Sequence, residues 1–143
     1  MTEGRTVVVG VDGSRSSRVA LTWAATQAAL IQGELVVVSA WEPSLLPPSG
    51  NPSVPKGGAV DPGQAATEDL LAVITQELGE DPSVPVQPVV KQGHAAEILI
   101  EQSANAELLV VGTRGHGGFA GLVLGSVSQH VAAYARCPVT VVR

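Results

Sequence analysis

Four short, almost uninterrupted apolar runs limit what this chain can fold into: residues 6–11 (TVVVGV), 35–41 (LVVVSAW), 108–111 (LLVV) and Val139–Val142 (VTVV). A strand with one wet face alternates apolar and polar residues. Runs that do not alternate suit strands covered by helices on both faces, as in a parallel sheet. The segments between them carry helical periodicity. Over 14–31, Ala20, Ala24, Ala28 and Ile31 share one face, any of Ser14, Ser16 and Ser17 can cap the start, and Gly33 is the natural stop. Over 64–78, Leu70, Val73, Ile74 and Leu78 form a stripe opposite acidic residues, and Gly79 closes it. A third helix leads from Gly93-His94 to about residue 104, apolar at Ala95, Ile98, Leu99 and, less cleanly, at Gln102. A fourth starts at Ser126 with Val127, Val131, Tyr134 and Ala135 facing inward. A further strand over 84–91 carries Pro85 and Pro88, which restrict it to an edge.

Strands and helices thus alternate, which predicts a doubly wound α/β domain over 1–143 with a five-stranded parallel sheet and right-handed crossovers. In strand order 3-2-1-4-5 the switch point lies between the first and fourth strands, where ligands bind at the carboxyl edge. Aromatic residues make up only 3% of the 143 residues, so the core is aliphatic. The apolar runs are too short to span a membrane, and the start resembles no secretory leader. The single cysteine, Cys137, excludes an internal disulfide and is expected to be packed rather than reactive. A soluble, cytoplasmic protein is expected. Its net charge of −5 argues against nucleic-acid or anionic-membrane binding. Residues 42–63 hold six of the ten prolines and are expected to form a long exposed loop, either a lid or partner-binding segment or a tolerated insertion.

The run at 108–111 breaks into glycines at 112, 115, 117, 118, 121 and 125, then reaches Gly125-Ser126 ahead of the last helix. Strand, glycine loop and helix start together suit an anion, because glycines let backbone N–H groups approach a phosphate and the helix start adds partial positive charge. No Asp or Glu follows Glu107, whereas Arg114, Arg136 and Arg143 remain. A Walker A loop is excluded, since no lysine follows Lys91. A dinucleotide fingerprint is formally present at Gly115, Gly117 and Ala120, but the acid it needs further on is absent.

The spacing Gly112-x2-Gly115-x9-Gly125-Ser126 matches the nucleotide-binding signature of the universal stress protein family. The chain also resembles that family at TVVVGVDGS, GHAAEILI, LLVVGTRGHGG and CPVTVVR, over nearly its whole length outside the Pro-rich loop. The resemblance implies a flavodoxin-like fold, a dimer and binding of ATP, with AMP or cyclic AMP as alternatives. By position it places Gly112 and Gly115 against ribose and phosphates, and Gly125 and Ser126 on the phosphates at the helix start. It places Asp12 near the ribose or a phosphate-bound Mg, and the Ala40 main chain against the adenine edge. Val127 and Ser128 would add an N–H and a hydroxyl. Arg114 suits a phosphate or plain solvation equally, Asp12 is also a turn former before Gly13, and His94, His116 and His130 read best as polar surface.

Phosphoryl transfer needs a held metal, a positioned nucleophile and cationic support, and only Asp12 is a plausible metal-directed carboxylate. A nucleotide-binding regulatory protein with no catalytic residue is therefore the expected function. A slow ATP hydrolase or phosphotransferase, and a nucleotide-free dimeric interaction protein, are the alternatives. The β-branched last strand, expected at an edge, invites pairing with a second copy through Val139 and Val141.

Overall fold

The computed structural model describes residues 5–43, 61–113 and 124–143. In chain order these form β1 (Thr6–Gly10), α1 (Arg15–Leu30), β2 (Glu34–Trp41), α2 (Pro62–Leu78), β3 (Val86–Gln92), α3 (Ala95–Ser103), β4 (Leu108–Gly112), α4 (Ser126–Tyr134) and β5 (Val139–Val142). All strand pairs are parallel, and the sheet order is β3-β2-β1-β4-β5. The expected topology is present, with the proline-bearing β3 and the short β5 at the two edges.

Strand alternation divides the core into two layers. Val7, Val9, Leu35, Val37 and Val110 pack against Ala20, Leu21, Ala24 and Ala28 of α1 and against Leu70, Val73 and Ile74 of α2. Val8, Val36, Val38, Leu109 and Val111 face the other way, against Ile98 and Leu99 of α3 and Val131 of α4. Residues on both faces of the central strands are therefore buried, which is why the sequence runs there do not alternate. Ala20, Ala24 and Ala28 are wholly buried, and with so little side chain between them α1 lies close on the sheet.

Four details differ from the sequence reading. The end of α1 is made by Gln32, whose φ is +55°, and not by Gly33. The Gln32 N–H donates to the Ala29 carbonyl at 3.1 Å and the Gly33 N–H to the Ala28 carbonyl at 2.9 Å, the paired bonds of a Schellman ending. Gly33 is required for space instead: a Cβ there would stand 3.0 Å from the Arg5 carbonyl carbon and closer still to its oxygen. Secondly, Pro62 and Gly63 belong to the first turn of α2, not to the preceding loop. Proline suits the first helical position, where its missing N–H has no partner to lose, and the Asp61 carboxylate accepts from the Gly63 N–H at 3.3 Å. Thirdly, β3 begins at Val86, and Val84 is a buried core residue ahead of it.

The fourth is Tyr134, which is 66% exposed instead of inward. At about 100° per residue, Val127, Ser128, Val131 and Ala135 cluster around one direction and Tyr134 falls at its margin beside His130. The two rings lie 5.1 Å apart, and Ser128 takes the buried place. Cys137 is half-buried against the α3–α4 layer, and burial raises its thiol above the ordinary value of 9.0.

The α1 ending gives a paired expectation. Gly33→Ala should lower unfolding stability by about 1–3 kcal/mol through overpacking against fixed backbone. Gln32→Gly should raise it by up to about 1 kcal/mol by relieving the left-handed strain. Denaturant unfolding of both variants checks the two signs.

Candidate functional site

The central strand stops before its neighbours do. The β1–β2 register ends at Gly10↔Val38, closed by the Val11 N–H donating to the Val38 carbonyl at 2.9 Å. Beyond that point β2 runs on through Ser39, Ala40 and Trp41, paired with β3. Backbone direction alternates along a strand, so the register decides where each peptide group points. Val38 bonds toward β1, and the Trp41 carbonyl bonds toward β3 by accepting from the Gly93 N–H at 2.9 Å. Ala40 therefore turns its N–H and C=O to the β1 side, into the space that β1 has left.

The other flank mirrors this. Leu109 donates to the Pro138 carbonyl at 2.9 Å and Thr113 to the Val142 carbonyl at 3.1 Å, so both face β5. Gly112 has the opposite parity and turns its N–H to the β1 side, beyond the last β1–β4 register pair, Val9↔Val110, while its carbonyl accepts from the Ser128 hydroxyl. The main chains of Ala40 and Gly112 thus border one gap at the carboxyl edge.

The turn leaving β1 closes the floor of that gap. Asp12 Oδ1 accepts from the Ser14 N–H at 2.9 Å, an Asx turn across Gly13, whose φ is +85°. Ser14 Oγ caps α1 by accepting from the Ser17 N–H at 3.2 Å. Ser17 Oγ donates to the Ser14 carbonyl at 2.9 Å and accepts from the Asp12 N–H at 3.2 Å. The carboxylate of Asp12 is exposed, on a turn held from both ends.

Gly112 is fixed by packing as well as by register. A Cβ on it would lie 2.7 Å from the Ser16 carbonyl carbon and 2.8 Å from its oxygen, and nearer still to Ser16 Oγ, so only glycine lets α1 and β4 meet here. Ser16 Oγ and Thr113 Oγ1 stand 3.4 Å apart across the same junction. Neither Ser16 nor Thr113 was singled out for the site from the sequence. Their signal was position alone, one within the turn of α1 and the other in the gap of the glycine signature.

The start of α4 completes the edge. The Gly125 N–H donates to the Thr113 carbonyl at 2.7 Å, and the buried Ser128 Oγ donates to the Gly112 carbonyl at 2.6 Å and the Thr113 carbonyl at 3.2 Å. These bonds tie the first turn of α4 to the end of β4. The N-cap of α4 is Gly125, which has no side chain to accept from the N–H groups of the first turn, unlike Ser14 on α1 and Asp61 on α2. An anion is the alternative acceptor for such a helix start. Ser126 is exposed beside it, Val127 is half-buried, and the Ser128 hydroxyl proton lies on the β4 carbonyls.

Asp12, Ala40, Gly112, Gly125, Ser126, Val127 and Ser128 are thus gathered at one edge by the sheet order. Arg114 and Gly115 lie outside the described residues, as do Gly117, Gly118, Gly121, His116 and residues 44–60. His94 sits on the rim, with Nδ1 3.0 Å from the Glu42 carboxylate and both side chains exposed. Among the described residues, no three His, Cys, Asp or Glu side chains are grouped to hold a metal. Among the same residues, no helix is long and apolar enough to cross a membrane.

Ser128→Ala should cost about 1–3 kcal/mol of stability, because it strands two strand-end carbonyls that the hydroxyl now satisfies. Thermal unfolding checks this, and an unchanged transition would show that the clamp contributes nothing.

Known proteins bear on this arrangement. The sequence profile of the universal stress protein family matches residues 4–143. A universal stress protein of Mycobacterium tuberculosis is 36% identical over 140 residues, covering 96% of this chain but 44% of its own length, so the chain spans less than half of that relative. The universal stress protein UspA of Lactobacillus plantarum superposes over the full length of both chains with a TM-score of 0.76 at 20% identity. A universal stress protein solved in complex with cAMP superposes with a TM-score of 0.67 at 29% identity, over 99% of this chain and 98% of its own. The sheet order β3-β2-β1-β4-β5, the glycine spacing and the match over nearly every residue lead to one conclusion: this chain belongs to the universal stress protein family.

Proposed function

We propose that this protein binds an adenine nucleotide, ATP or a monophosphate such as AMP or cyclic AMP, across the β1–β4 switch point, and uses it as a signal or stabiliser. The observation that carries the reading is the gap left by β1. The N–H and C=O of Ala40 and the N–H of Gly112 turn into it, above the Asp12 turn and beside the glycine-capped start of α4. A base edge suits the Ala40 N–H and C=O, which offer one donor and one acceptor, as the edge of adenine does. Phosphates suit the α4 start and the glycine loop. The family member solved with cAMP, similar over nearly the whole chain, supports adenine as the base.

Asp12 is the residue suited to a phosphate-bound Mg ion, which would supply charge neutralisation between phosphates. The segment after Glu107 contains no acid, and the three basic residues after Lys91 (Arg114, Arg136 and Arg143) include no lysine, so the parts for rapid phosphoryl transfer are few. A cytoplasmic setting fits the single cysteine. The protein acts as a homodimer in this reading: β5 is a sheet edge whose four residues are all only half-buried, and Val139 and Val141 are its pairing surface.

Native mass spectrometry of the purified protein, followed by calorimetric titration with ATP, AMP and cyclic AMP, tests the reading. The expected result is about one adenine nucleotide per chain. Asp12→Asn keeps the Asx-turn acceptor but removes the charge, and should abolish any gain in ATP affinity from Mg. ADP formed from supplied ATP would favour the hydrolase reading, and a protein that ignores all three nucleotides would overturn the site. Val141→Lys should give a monomer in sedimentation, and a dimer in that variant would place the interface elsewhere.

A further inference from the structure

Arg18 reaches out of the site to a neighbouring helix. Its Nε donates to the Gly13 carbonyl at 3.3 Å. Its Nη1 donates to Gln76 Oε1 at 2.8 Å and pairs with Glu77 Oε2 at 3.1 Å, both on the last turn of α2. The Arg18 and Glu77 side chains are 32% and 29% accessible, so solvent screens the pair only in part. A cation in the first turn of α1 stands at the unfavourable end of that helix dipole, whereas the C-terminus of α2 attracts one. The last turn of α2 contains no basic residue of its own, and Arg18 supplies the charge from across the interface.

The guanidinium is a rigid plane, so fixing Nη1 on α2 also fixes where Nε can point. Its target is the peptide group of Gly13, the left-handed residue on which the Asp12-Gly13-Ser14 turn hinges. Gly13 is the middle residue of that turn, so a held Gly13 carbonyl limits how far the Asp12 side chain can reorient at the end of β1.

We propose that Arg18 is a positioning residue for the nucleotide: anchored on Gln76 and Glu77, it holds the Gly13 carbonyl and sets the turn that presents Asp12. The inference rests on the nucleotide reading above. It makes the C-terminal turn of α2 part of the determinants of affinity. By linkage, a bound nucleotide stabilises the α1–α2 junction to the same extent.

The competing role for Arg18 is plain charge attraction for an anionic ligand, and the sign of one variant separates the two. The variants are Arg18→Met, the double change Gln76→Met with Glu77→Met, and all three together; methionine keeps the helix propensity of each site. Affinity for ATP is measured by calorimetry, with thermal melts to keep each titration below the unfolding transition. Positioning predicts that Arg18→Met binds about three- to tenfold more weakly. It also predicts that the α2 double change weakens binding in the same direction, and that the combination is no weaker than Arg18→Met alone. Charge attraction predicts the reverse for the α2 change, since removing an acid near the site tightens binding of an anion. Binding by the α2 variant equal to or tighter than wild type, or losses that add in the combination, would overturn the proposal. A wild-type protein that binds no adenine nucleotide would instead overturn the reading on which it rests.

Discussion

The structure depends on where the backbone ladder of β1 ends. Inside a sheet buried on both faces, every peptide group must find a partner, and the register supplies one at each step along the central strand. Once the chain turns out of the sheet at Asp12, its neighbours β2 and β4 continue without a strand between them. The peptide groups of Ala40 and the N–H of Gly112 then face a gap. The shortness of β1 thus leaves main-chain donors and acceptors at the sheet edge without a strand beside them. In the proposed nucleotide reading no specialised residue is needed at Ala40, because its main-chain groups would do the recognising.

The parts around the gap are held by bonds that serve folding first. Ser128 and Gly125 fasten α4 to the end of β4, Ser17 and Ser14 fasten α1 to the turn, and Gly112 permits the two halves to touch. A polar cluster of this kind is stable at a sheet edge because each hydroxyl is both donor and acceptor and meets backbone groups that would otherwise lose their partners. Rigidity is also what a binding site needs, since donors already in place cost no reorganisation when a ligand arrives. Stability and preorganisation are here two consequences of the same bonds.

Much of the fold was legible in the sequence. The β-branched runs implied buried parallel strands, the prolines of β3 implied an edge, and the small residues of α1 implied close packing on the sheet. What was misread lay at element ends. Gly33 looked like a helix stop because glycine usually occupies that conformation, yet Gln32 takes it and Gly33 answers a steric demand from Arg5. Pro62 looked like loop, although a helix start tolerates it. Tyr134 looked inward by spacing, but spacing defines the centre of a face better than its margins. Of these, the place of Gly33 is set by atoms distant in sequence, the Arg5 backbone.

The same division holds for the site. The sequence by itself determined the ingredients: a glycine spacing, an Asp-Gly-Ser turn and a helix start at Gly125-Ser126. Periodicity and turn chemistry are local properties, and local rules suffice to read them. Only the tertiary structure decided that Ala40 and Gly112 face the same gap, that the Ser128 hydroxyl is committed to strand-end carbonyls, and that Arg18 joins the turn to α2. Those facts depend on register and on contacts between residues far apart in the chain. A shift of one residue in pairing would turn every one of these peptide groups the other way.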